Sequence, residues 1–241
     1  MQNRSRCGFV EAASRQKEGK DEMIISASRR TDIPACYGQW MMARLRAGEV
    51  LVPNPYNASR ISRVALSPGN VDCIVFWTKN AAPMLPLLDE LDALGYKYYF
   101  EYTVTGYGSA LEPDLPEKER TVDTFLRLSE RLGPEGVDWR FDPVLLTSSI
   151  TPAWQLERFG ALCRAPHGAT RRCVFSFADP YPGIRPSIAP LEETQMRLLA
   201  KGFADIAGEY GLPLYTCAEA VELSEYGIRH AACIDSAKVE R

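Results

Sequence analysis

Polar and charged residues two apart recur where short apolar runs end: IISASRRTD, IVFWTKN, YFEYTVTGYG, WRFDP, VFSFADP and LYTCAE. A strand turns successive side chains to opposite faces, so residues i and i+2 share a face. Ser26, Ser28, Arg30 and Asp32 share one parity and Arg29 takes the other. Adjacent arginines can grip a phosphate or carboxylate bidentately, which marks Ser28, Arg29, Arg30 and Asp32 as candidate substrate-binding residues. The plainer alternative is an Arg–Asp pair that braces the strand end. Lys79 shares a parity with Trp77; it is a candidate clamp, or a nucleophile if desolvated, against a solvated lysine. Glu101, Thr103 and Thr105 share a face, and Tyr107 follows between two glycines that let backbone approach a ligand. Arg140 and Asp142 project the same way. Turned inward they form a charged pair, which is weak evidence for stability and better evidence for binding. Asp179 follows the fifth of these strands, and Cys217 and Glu219 share a parity on the sixth.

Glu101, Asp142 and Glu219 together read as a carboxylate cluster suited to metal binding or acid–base work, with structural ion pairs as the alternative. The expected catalytic residues are therefore Lys79, Glu101, Asp142 and Glu219. The expected substrate-binding residues are Ser28, Arg29, Arg30, Asp32, Thr105, Tyr107, Arg140 and Asp179. No metal-ligating set is assigned. The two histidines, His167 and His230, lie off the strand ends, which argues against a His-rich zinc site and a Ser–His–Asp triad. There is no Walker loop.

Such strand ends need a scaffold. The pattern predicts a strand at MIISAS, a helix over CYGQWMMARLRAG, and a hairpin-like insertion at EVLVPNPYNASRISRVALSP. Strands at DCIVFWTKN, KYYFEYTVT, VDWRFDPVLL, CVFSFADP and PLYTCAE then alternate with helices, Thr151 being a plausible cap for one of them. The chain finishes in a helical or irregular tail. Alternating strands and helices imply parallel pairing with right-handed crossovers. The first turn, SRRTDIP, lacks the glycines of a dinucleotide fold. The expected fold is α/β: a partial TIM-like (β/α)6 barrel, mostly parallel, with its site at the C-terminal strand ends.

Acids exceed bases by only 31 − 28 = 3, so nucleic acid is not indicated as a partner. No apolar run approaches the ~20 residues that cross a bilayer. Seven scattered cysteines include no CxxC chelate, and without a secretory signal the expectation is reduced thiols in the cytoplasm. Residues 1–22 are polar and read as a disordered leader, followed by a single partial-barrel domain over 23–241.

The strings SASRRTDIPA, VPNPYN, VALSP, DCIVFWTKN, YYFEYTVTGYG, WRFDPVLLT, TCAE and LSEYGIRHAACID, in that order, resemble a bacterial family designated domain of unknown function 1848. Members of that family resemble relatives of the radical S-adenosylmethionine enzymes. The resemblance implies a C-terminal cysteine cluster holding a [4Fe–4S] group that binds S-adenosylmethionine. This chain contains no such cysteine triplet and is expected either to be truncated before that segment or to be a member that lost the cluster. No cofactor is therefore certain here. Three readings stand: a radical-S-adenosylmethionine-like barrel binding a small or nucleotide-like substrate, a divalent-metal-dependent lyase, isomerase or hydrolase using Glu101, Asp142 and Glu219, and a non-catalytic ligand-binding barrel. Its oligomeric state is not indicated.

Overall fold

The computed structural model describes residues 15–17, 20–28, 31–54, 56–165, 167–178 and 190–239. Arg29, Arg30 and Asp179 lie outside the described residues. The fold is α/β, with a mostly parallel seven-stranded sheet and no closed barrel among the described strands. This is consistent with the partial barrel expected from the sequence. The chain divides into two compact units, Met1–Phe100 with Val239–Arg241, and Glu101–Lys238.

In the first unit, β1 (Arg15–Lys17) and β2 (Lys20–Glu22) pair antiparallel within the stretch read as a leader. β3 (Ile24–Ala27) is followed by α1 (Ile33–Cys36) and α2 (Gly38–Ala47). α2 ends on Gly48 at φ 71°, and the Gly48 N–H reaches the Leu45 carbonyl. A left-handed C-terminal residue is where glycine carries no steric penalty. The expected insertion is the antiparallel pair β4 (Glu49–Asn54) and β5 (Asn57–Ala65). Its turn is held by the Asn54 side chain, which accepts the N–H groups of Tyr56 at 2.9 Å and Asn57 at 3.2 Å. β6 (Cys73–Thr78) runs parallel to β3, Ile24 opposite Cys73, and buries Cys73 through Phe76. That continuous apolar run is typical of a parallel strand covered on both faces. α3 (Leu88–Ala93) follows, and then β7 (Tyr98–Thr103), whose residues from Glu101 onward belong to the second unit.

The second unit holds α4 (Lys118–Leu132), β8 (Val137–Val144), α5 (Pro152–Arg164), β9 (Cys173–Phe177), α6 (Glu193–Glu209), β10 (Leu214–Cys217), β11 (Arg229–Ala231) and all but the last residue of α7 (Ser236–Val239). Thr151 caps α5 as expected: its hydroxyl accepts the Trp154 N–H at 3.3 Å, with Pro152 in the first turn. Glu192 and Gln195 form a capping box at α6. A seventh strand, β11, joins the six expected ones and pairs parallel with β10. At three residues, two of them exposed, it is too short and polar to leave a periodic signal.

Register sorts this sheet into two faces. Arg140 pairs with Val174, Val174 with Tyr215, and Tyr215 with Arg229. Asp142, Ser176, Cys217 and Ala231 lie two residues further along the same face. The opposite face carries Trp139, Phe141 and Phe175, which meet Phe159 of α5 and Phe203 of α6 with ring centroids 5.1–5.6 Å apart, while Phe159 and Phe203 meet each other at 4.5 Å. That aromatic layer is the core of the unit and fixes β8 and β9 against the helices. No described helix is long and apolar enough to cross a membrane.

Candidate functional site

The candidate site is the polar face of the second unit, at the C-terminal ends of β8, β9 and β10. Arg140, buried on β8, donates to Asp142 from Nη2 at 2.8 Å and Nε at 3.2 Å, and to Glu101 from Nη1 at 3.4 Å. The Ser176 hydroxyl donates to the other oxygen of Asp142. Glu219 accepts the Phe177 N–H at 2.6 Å. The Cys217 and Cys233 sulfurs are 3.2 Å apart. Asp142 keeps 23% of its side chain exposed while Arg140 keeps 6%. The arrangement is a buried cation beneath a carboxylate that is gripped from two sides and still open to water.

Below it runs a chain of charges. Glu101 lies 3.7 Å from Arg172, which pairs with Asp138 and Asp235 at 2.6 Å each, and Lys238 closes on Asp138. Burial, with Asp138 adding a like charge, pushes Glu101 up to about 8, even though Arg140 and Arg172 pull it down. Burial opposes the charge on Arg140, but Asp142 and Glu101 outweigh it, so its pKa is raised. Cys217 moves the other way, down to about 6, through the Cys233 hydrogen bond and the Arg140 charge, against the cost of burial.

Other expected site residues have structural partners. Tyr107 donates its hydroxyl to the Pro143 carbonyl at 2.7 Å and accepts from the Leu145 N–H and Gln155 Nε2. It also stacks on Trp154, 5.8 Å between centroids. Thr105 donates to Glu112 at 2.9 Å, and Lys118 reaches the same carboxylate. In the first unit, Asp32 caps α1 through the Ala35 N–H at 3.0 Å and accepts from the Thr78 hydroxyl and the Lys79 backbone N–H at 2.8 Å each. Ser28 accepts the Ile33 N–H at 3.0 Å. Asp32 thus ties the end of β6 to the loop after β3, and Lys79 enters that tie through its backbone.

A profile of the family described as Domain of unknown function (DUF1848) matches residues 24–241. The chain belongs to that family. No curated protein matches this family member. A solved structure from Bacteroides thetaiotaomicron VPI-5482, given a provisional alpha-L-fucosidase assignment, aligns at 10% identity and a TM-score of 0.35 over 100% of this chain and 86% of its own. A likeness at that score carries no argument.

The [4Fe–4S] cluster expected from the sequence resemblance would need three converging thiolates. Among the described residues, Cys217 and Cys233 are in sulfur contact, while Cys73, Cys163 and Cys173 are buried thiols whose pKa values burial pushes up. No described set of three His, Cys, Asp or Glu side chains could share a metal ion. The described residues do not fit the cluster, so S-adenosylmethionine is given no residues. Of the expected carboxylate cluster, Glu101 and Asp142 meet through Arg140, whereas Glu219 holds the backbone of β9. Sequence reasoning missed Asp138, Arg172, Ser176, Asp235 and Lys238. Asp138 was within reach, because VDWRFDP places it two residues before Arg140 on the same face.

Proposed function

We propose that the second unit binds a small hydroxyl- or amine-bearing substrate, nucleoside-like molecules among them, on a partial barrel of radical S-adenosylmethionine ancestry. The ligand sits at the C-terminal ends of β8, β9 and β10. Asp142 accepts hydrogen bonds from it, Ser176 and Glu219 flank it, and Arg140 holds the Asp142 carboxylate in place. The observation that carries this reading is the Asp142 carboxylate, fixed from both sides by Arg140 and Ser176 yet partly open to solvent. A carboxylate oriented in advance loses little freedom when a ligand arrives. It also favours donors over anions, which suits a ribose diol or an amine better than a phosphate.

The test is a thermal-shift screen of nucleosides, amino acids, polyols and S-adenosylmethionine against the full chain. A true ligand at a hundred times its Kd raises the midpoint by roughly 5–10 °C. Asp142→Asn abolishes that shift when compared with its own ligand-free midpoint. A ligand that shifts the wild type and Asp142→Asn equally would refute the site.

A further inference from the structure

We propose that Cys217 and Cys233 form a reversible disulfide, a two-electron thiol switch at the rim of the strand-end site. Tertiary structure creates the juxtaposition. Parallel pairing sets Cys217 opposite Ala231, and Cys233 lies two residues beyond Ala231. The two sulfurs, neither in a disulfide, are 3.2 Å apart. A disulfide needs them only about 1.2 Å closer.

The pair also has the two properties that separate a reactive dithiol from packing cysteines. Cys233 is half-buried, within reach of a small reagent, while Cys217 sits behind it at 8% exposure. Cys217 is also biased toward thiolate by the Cys233 hydrogen bond and the Arg140 guanidinium, and ordinary buried thiols lack such partners. Cys73, Cys163 and Cys173 show the contrast: each is at most 2% exposed, and burial pushes its thiol up. Among the described cysteines, oxidation is therefore directed to the pair in sulfur contact.

The chemistry requires a low-molecular-weight disulfide such as glutathione disulfide. The Cys233 thiol gives its proton to water and attacks one sulfur of that disulfide. An S–S bond forms at Cys233, and one glutathione leaves as thiolate. The Cys217 thiolate then attacks the Cys233 sulfur and expels the second glutathione. Two protein thiols lose two electrons, and one glutathione disulfide gains them. The closed bond removes a negative charge beside Arg140, which keeps Asp142 and Glu101. The redox state thereby resets the charge under Asp142, whatever ligand that site takes.

The experiment treats the reduced full chain with glutathione disulfide at neutral pH, alkylates it, and maps peptides without reduction. The expected result is the loss of two alkylatable thiols and about two mass units per chain, a peptide joining Cys217 to Cys233, and reversal by dithiothreitol. In Cys217→Ser the glutathione adduct accumulates on Cys233, because the sulfur that would displace it is gone. The wild-type map decides the matter even if a variant folds poorly. Both thiols still alkylatable after oxidation, a lasting glutathione adduct on wild-type Cys233, or modification confined to Cys36 would each overturn the proposal.

Discussion

Removing Arg140 exposes how the polar face is balanced. Its guanidinium touches Asp142 twice and Glu101 once, at 2.8–3.4 Å, with only 6% of the side chain exposed. Breaking a buried ion pair by deleting one partner costs about 3–5 kcal/mol, because the charge left behind is uncompensated. Two features place Arg140→Ala at the lower end. Asp142 is 23% open and can rehydrate, and Glu101 keeps Arg172 at 3.7 Å. The expected loss is about 3 kcal/mol, or a midpoint lower by roughly 6–12 °C for a chain of this size. Urea unfolding at pH 8 should show a lower Cm at unchanged m. The loss should shrink at pH 6, where Glu101 carries a proton and no longer needs the cation. Adding Asp142→Asn to Arg140→Ala should restore more than about 1 kcal/mol relative to the sum of the single changes. A loss under about 1 kcal/mol at pH 8 would refute a buried, mutually dependent pair.

Glu101→Gln tests the sign of the electrostatics. A carboxyl raised to about 8 from 4.5 contributes stability that is complete below pH 4.5 and is lost as pH rises toward 8. The wild type should therefore lose stability relative to Glu101→Gln between pH 5 and 8; a flat difference across that range, as a salt-bridged carboxylate gives once pH exceeds its unfolded pKa, would show that Glu101 titrates low. Asp32→Ala should cost about 2 kcal/mol, since it removes a helix cap and leaves Thr78 and the Lys79 N–H without that acceptor; an unchanged urea midpoint would return Asp32 to a purely ligand-binding role. Phe159→Ala should cost about 3–5 kcal/mol, because Phe159 is fully buried between Trp139, Phe141 and Phe203; calorimetry giving less than half of that would mean the aromatic layer is loosely packed.

The sequence alone determined which residues share a face. Alternation in WRFDP placed Arg140 and Asp142 together, because strand geometry sets side-chain parity with no help from neighbours. Local chemistry likewise announced the hairpin-like insertion and the Thr151 cap, and the side chains that hold them, Asn54 and Thr151, find their partners two or three residues away. Parity cannot name partners across strands. Arg172 meets Asp138 over 34 residues, Asp235 over 63, and Lys238 meets Asp138 over 100. Those meetings exist only once the sheet register is set. Asp32 shows the same limit from the other side: a residue type suited to binding was used to cap α1 and hold the end of β6, a choice made by which N–H groups the fold brought near. The contact between Cys217 and Cys233 depends on β11, three residues that pair only because β10 offers an edge. Short-range periodicity is a property of the backbone and can be read from one strand. Charge pairing and thiol contact are properties of register, and register is decided by the packing of the whole sheet.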